Sequence, residues 1–276
     1  MPLSVVALIA LSACIHVGWN MLLKGATTRH VSTWLAVCLP GIITLPFVWA
    51  DTSTELWLIA AGSALFQAAY YLLLAYGYAH YDLGVLYPIA RGVAPLLSTV
   101  WSMLLLGDRP NGYGIGAVVL ITGGTIWIGV RNRAAGQPFA MPWLPLLVAL
   151  MISGYTIVDA YGTRVSSPFV YYSVCMTCTG IAMIPYIWSQ TPNLRTAVLR
   201  EAPRALLIGV GSFASYLMVL SCYAIAPVSY VAAAREMSII IAGVIGWLWL
   251  KESFGAARMV GSASVATGVI LLVLFG

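Results

Sequence analysis

Leu83 to Asp108 reads LGVLYPIARGVAPLLSTVWSMLLLGD, and this stretch decides how the rest of the chain is understood. It is long enough to cross a membrane, since about twenty apolar residues at 1.5 Å each span the hydrocarbon core. Arg91 falls roughly 12 Å in from Leu83 by the same rise, which puts its charge inside or just below the edge of the apolar layer. A charge there costs roughly 2.5 kcal/mol or more and usually faces a partner or a watery cavity. Pro88 and Pro95 also remove backbone donors, so the carbonyls of Gly84 and Arg91 lose their usual helical partners. Two readings follow. Either the helix is a kinked packing element whose Arg91 snorkels to the headgroups, or it lines a substrate pathway.

Composition sets the class. Of 276 residues, 61% are hydrophobic and 8% charged, with mean hydropathy +0.95. Soluble domains carry about 25% charged residues, so this chain is built for a lipid bilayer. The net charge of +5 is dispersed along the span ends, which fits a membrane surface and not nucleic acid. Five cysteines (Cys14, Cys38, Cys175, Cys178, Cys222) lie in apolar stretches and read as buried free thiols. Cys175 and Cys178 form an isolated C-x-x-C with no second pair, so no metal or redox site is expected there.

Ten hydrophobic spans are predicted near 3–23, 31–50, 56–79, 83–106, 112–130, 142–162, 168–189, 204–226, 228–250 and 255–275. Residues 11–14 resemble a lipoprotein cleavage box, but no basic residue precedes them and the apolar run continues to Leu23, so a retained helix is expected. The longest connection is predicted at about 190–203, and a second polar break runs from Arg131 to Met141, close to the midpoint. A repeat straddles that midpoint. Pro46-Phe47-Val48-Trp49 recurs as Pro185-Tyr186-Ile187-Trp188 at an offset of 139. Tyr78-Ala79 recurs as Tyr223-Ala224 at 145, while Ala90-Arg91, Asp108 and Gly124 recur as Ala234-Arg235, Glu252 and Gly268 at 144. The predicted units are 1–135 and 140–276. Five spans is an odd number, so the two units have opposite orientations, an all-α inverted repeat that places a binding cavity between the halves.

The 1–2, 5–6, 7–8 and 9–10 connections and their helix ends carry nine basic residues, among them Lys24, Arg29, Arg133, Arg200 and Lys251. The opposite side carries two, Arg109 and Arg164. The positive-inside rule then puts both termini outside the cell.

Polar residues inside spans are the site candidates. His16 and Asn20, four apart on the first span, share one helix face, for binding or for a neighbouring helix. Asp159 stands at the repeat position of Asn20 and is read either as a site carboxylate or as a solvated residue near a span end. Arg235 and Glu236 sit in the ninth span, and Arg235 is the repeat partner of Arg91. Neighbours on a helix point about 100° apart, so the two do not pair with each other and at least one needs a partner elsewhere; Glu236 with Arg91 across the two halves is the candidate pair, as part of a site or as an ionic lock. Gln67, Tyr70, Tyr71 and Tyr216 lie deep enough to wall a cavity, whereas tyrosines near span ends suit an interfacial belt. Gly112, Gly116, Gly123, Gly124, Gly255, Gly261 and Gly268 are read as packing or dimer faces, leaving a homodimer open.

The run Asp82-Leu83-Gly84-Val85-Leu86-Tyr87-Pro88-Ile89-Ala90-Arg91-Gly92-Val93-Ala94-Pro95, the Leu106-Gly107-Asp108 ending and the ten-span repeat resemble the drug/metabolite transporter superfamily, EamA type. His16 to Lys24 is similar to the first span of a bacterial branch of that family. The resemblance implies a bundle with helices 3, 4, 8 and 9 around a central cavity, and a carrier of small metabolites, often outward across the bacterial inner membrane. Amino acids, organic cations and sugar-linked metabolites are all within its range. Small four-helix relatives couple to protons through a first-helix glutamate, where this chain has His16 and Asn20.

An intramembrane enzyme is not expected, because no H-E-x-x-H occurs and His16, His30 and His80 lie apart. No G-x-x-x-x-G-K-[ST] signals ATP binding, and no cofactor is expected. The expectation is a secondary carrier for a small-molecule substrate, with Asp159 or Glu236 as candidate proton carriers. The rival is a non-transporting membrane subunit.

Overall fold

The computed structural model describes residues 1–80, 83–131, 143–250 and 255–276. Asp82, most of the midpoint break with Arg133, the predicted unit boundary, Lys251 and Glu252 lie outside the described residues. The helices are α1 (Leu3–Lys24), α2 (Arg29–Val48), α3 (Thr54–His80), α4 (Leu83–Trp101), α5 (Gly112–Arg131) and α6 (Trp143–Val165). They continue as α7 (Pro168–Gln190), α8 (Leu194–Tyr223), α9 (Val228–Ala234), α10 (Met237–Leu250) and α11 (Ala256–Phe275), with no strand among the described residues. Ten segments are long and apolar enough to cross a membrane, α9 and α10 together forming the ninth. Leucines such as Leu58, Leu65, Leu104 and Leu207 point outward, as lipid-facing helices require.

Swapping the halves (α1 for α6, α2 for α7, α3 for α8, α4 for α9–α10, α5 for α11) turns the main packing pairs into one another. Helix α1 packs on α8 as α6 packs on α3; α2 packs on α8 as α7 packs on α3; α2–α7 and α5–α11 pair with their own counterparts. This pattern is consistent with two inverted repeats. Small residues let α5 and α11 touch: a Cβ on Gly124 or Gly261 would lie 2.6 Å from the other's carbonyl oxygen, and one on Gly268 2.8 Å from that of Ala117. Gly112, Gly116, Gly123 and Gly255 meet nothing within 4 Å, so the predicted glycine packing face narrows to three residues.

Local signals set several helix ends. Ser167 caps α7 by accepting from the Val170 amide, with Pro168 at the first helical position. After α4, Ser102–Leu106 widens into a π-type turn. Gly107 then reverses the chain at φ 75°, a conformation glycine adopts without penalty.

Two spans differ from expectation. The long polar connection predicted at 190–203 shrinks to 191–193, because α8 starts at Leu194 and carries Arg195, Arg200, Glu201 and Pro203 in its outer turns. Charges lower hydropathy without breaking a helix, so the pattern mistook solvated turns for a loop. Glu201 pins these turns to the α1–α2 connection, accepting from the Thr28 amide at 3.0 Å and the Ser32 hydroxyl at 2.8 Å. The ninth span is not one helix. It tightens at Arg235–Glu236, where the amides of Glu236, Ser238 and Ile239 bond three residues back instead of four.

All five cysteines are free; Cys38, Cys175 and Cys222 are buried as expected, but Cys178 is half-buried and Cys14 is exposed on the outer surface of α1. The N-terminal ammonium donates to the carbonyls of Leu272 and Gly276, so both ends of the chain lie on one face.

Candidate functional site

The central feature is a cavity of about 430 Å³ between the halves. It reaches outward to Arg29, His30 and Tyr186, on the face that carries the 1–2 and 7–8 connections. None of its lining residues comes from the opposite connections. That opposite face is tied shut. Asp108 accepts from the Ser229 amide at 3.3 Å, Arg164 donates to the Leu106 carbonyl at 3.1 Å, and the Asn111 amide donates to the Tyr230 hydroxyl at 3.1 Å.

Eight of the ten sequence candidates line this cavity: His16, Asn20, Gln67, Tyr70, Tyr71, Arg91, Tyr216 and Arg235. Asp159 and Glu236 stand behind its wall. Helices 3, 4, 8 and the ninth span contribute, as the family resemblance implies, but α1, α2, α6 and α7 do so as well.

The two repeat-related arginines differ. Arg91, 9% exposed, donates from Nε and Nη2 to Oε1 of Glu236 at 3.1 and 2.8 Å, and from Nη1 to the Tyr87 hydroxyl at 3.1 Å. Tyr87 lies one helical turn before Arg91, and its ring also faces the guanidinium at 5.6 Å. The partner expected for Glu236 is therefore the one it has, and Arg91 does not snorkel. Oε2 of Glu236 is buried without a hydrogen-bond partner. Arg235 makes no ion pair among the described residues. It donates to the Tyr223 hydroxyl at 3.2 Å and lies over the Tyr216 ring at 5.8 Å. The turn at 235–236 thus aims one cation into the cavity and one carboxylate at the other half.

Asp159 is fully buried, which excludes the reading of a solvated span end. It sits well inside α6, which runs on to Val165. Its carboxylate accepts from the hydroxyls of Ser63, Tyr171 (2.5 Å) and Tyr216, which converge from α3, α7 and α8. Gln67 donates to Ser63 at 3.2 Å and to Cys175 at 3.4 Å. Two hydrogen-bonded routes therefore lead from the cavity to Asp159, through Gln67–Ser63 and through Tyr216.

Asn20 donates to the His16 carbonyl at 2.7 Å within α1, while Nε2 of His16 is buried without a partner. Tyr70 packs against Tyr71 and Tyr155 at ring distances of 5.0 and 6.0 Å, forming an aromatic wall. Sequence reasoning missed Tyr155, Tyr87 and Ser212 as lining residues. The repeat held the signal: Tyr155 is His16 plus 139, the offset that links Asn20 to Asp159, and Ser212 is Gln67 plus 145. Tyr87 was visible as the residue one turn before Arg91.

Ten apolar helices around a polar, buried cavity define a multi-pass integral membrane protein of the transporter type. Residues 139–274 match the EamA-like transporter family, and the ten apolar helices fit an EamA-type membrane transporter of the drug/metabolite transporter superfamily. A solved crystal structure shares the fold, with a TM-score of 0.73 at 17% identity over 99% of this chain and 98% of the other. No curated protein sequence matches the chain.

Proposed function

We propose that the protein is a secondary carrier that moves amino acids or related small carboxylates by alternating access across the inner membrane of a bacterium. The observation that carries this reading is Arg235, a cation that lines the cavity without a carboxylate partner among the described residues. A charge inside a membrane protein marks a ligand or ion pathway, and a guanidinium suits a carboxylate. Arg91, already neutralised by Glu236, holds the halves together and positions the site. Tyr70, Tyr71, Tyr155 and Tyr216 wall the space for the remainder of the substrate, with His16, Asn20 and Gln67 supplying polar contacts. In this reading the state described is open to the cytoplasm, since the cavity reaches the face richest in basic residues. Both termini then lie outside.

Asp159 is the group we assign to a coupling proton. Three hydroxyls and the Cys175 thiol, at 3.8 Å, donate to it, and hydroxyls donate or accept and so accommodate either protonation state. Tyr216 links it to Arg235, because its hydroxyl binds Asp159 while its ring carries the guanidinium. Protonating Asp159 removes a negative charge near Arg235 and frees that cation for the substrate, so proton and carboxylate favour each other's binding.

Uptake by proteoliposomes of labelled amino acids, amines and organic anions, with and without a pH gradient, tests the reading. Saturable, gradient-driven flux of amino acids supports it. Flux of amines alone, or no flux from folded protein, overturns it.

A further inference from the structure

Glu236 uses only Oε1 for Arg91, leaving Oε2 buried with no hydrogen-bond partner in a residue 3% exposed. An unsatisfied buried carboxylate oxygen is costly and calls for a donor. Nε2 of His16 is also buried and unpartnered, and accepts a hydrogen bond in its Nδ1-protonated tautomer. Both residues line one small side pocket of about 50 Å³, which shares Tyr155, Arg91 and Arg235 with the main cavity. Its remaining walls include the apolar Ala94, Pro95, Ile152 and Ala232.

We propose that this side pocket is the receptor for a primary ammonium group of the substrate, with Glu236 Oε2 and His16 Nε2 as acceptors. The proposal rests on the reading of Arg235 as the carboxylate anchor and narrows the substrate to α-amino acids with a free amino group. An ammonium carries three donors and no acceptor, which matches a pocket holding two orphaned acceptors. Arg235 lines the main cavity and the side pocket alike, so the carboxylate receptor borders the ammonium receptor, as the two groups do on one α-carbon. The pocket adds a selection. A space of about 50 Å³ admits a primary ammonium, whereas an acylated nitrogen carries one uncharged donor and satisfies only one of the two acceptors.

The test is ligand binding to the purified full-length protein in detergent. The probes are L-phenylalanine and L-leucine, their deaminated counterparts 3-phenylpropanoate and 4-methylpentanoate, and the N-acetyl amino acids. The free amino acid is expected to bind at least about tenfold more tightly than its deaminated counterpart, since a charged hydrogen bond is lost, and more tightly than its N-acetyl form as well. Ser98→Ile adds bulk at the wall of the side pocket while keeping Arg91, Glu236 and His16, and lowers amino-acid affinity at least about tenfold. If Ser98→Ile does not fold, the wild-type comparison decides alone. Equal affinity for the amino acid and its deaminated counterpart overturns the ammonium site and leaves Arg235 standing as a carboxylate anchor. Failure of every carboxylate to bind folded protein overturns both.

Discussion

Arg91 and Arg235 stand 144 residues apart, at the offset of the sequence repeat, yet their helices and partners differ. Helix α4 contains Pro88 and Pro95 and still runs unbroken from Leu83 to Trp101, while the ninth span has no proline at 235–236 and changes its winding there. Proline is the residue expected to break a helix, so the difference originates in tertiary contacts. The turn lies where Glu236 crosses to α4, and it lets two consecutive residues serve two different places. One arginine is held in an ion pair with Glu236, and the other lines the cavity with no ion pair among the described residues. Interrupted spanning helices recur at carrier binding sites for this reason: irregular backbone inside a membrane is tolerated where it lines a cavity.

Matched substitutions sharpen the contrast. Arg91→Met strands the Glu236 carboxylate in a buried site and is expected to cost about 3–5 kcal/mol of stability. Arg235→Met gives up one tyrosine hydroxyl bond and one ring contact, about 1 kcal/mol. Unfolding of both variants in one detergent measures the gap, and equal losses would break the comparison. Asp159→Asn comes next, at about 2 kcal/mol, since the hydroxyl bonds lose their charge assistance. If Asp159 carries the coupling proton, its amide substitute mimics the protonated form. Substrate affinity in the wild type then rises as pH falls, whereas in Asp159→Asn it stays high at all pH values and gradient-driven uptake is lost while exchange persists. A variant that keeps the wild-type pH profile would remove Asp159 from the coupling scheme. Gly124→Ala is expected to cost about 1–2 kcal/mol more than Gly123→Ala, because only the first adds a Cβ against the α11 backbone.

Much of this arrangement was legible in the sequence. The span count follows from hydropathy, and the repeat offsets aligned Arg91 with Arg235 before any contact was known. The angle between neighbouring helical residues showed that Arg235 and Glu236 need separate partners, and the repeat made Arg91 the candidate that Glu236 does reach. The tightened turn was not legible, because Ala234, Arg235, Glu236 and Met237 include no helix breaker. The start of α8 was hidden because Arg195 to Glu201 are polar yet helical, and hydropathy separates lipid from water and not helix from loop. The burial of Asp159 depends on hydroxyls from three other helices, which no single-span pattern contains.

Arg235, and not Arg91, is the residue proposed to receive the substrate's carboxylate. The most direct test is the affinity of purified Arg235→Gln for the free amino acid that the wild type binds best, read alongside the melting temperature. The account predicts a loss of about a hundredfold or more in affinity, with melting close to that of the wild type. Unchanged affinity in a variant that remains folded would contradict it.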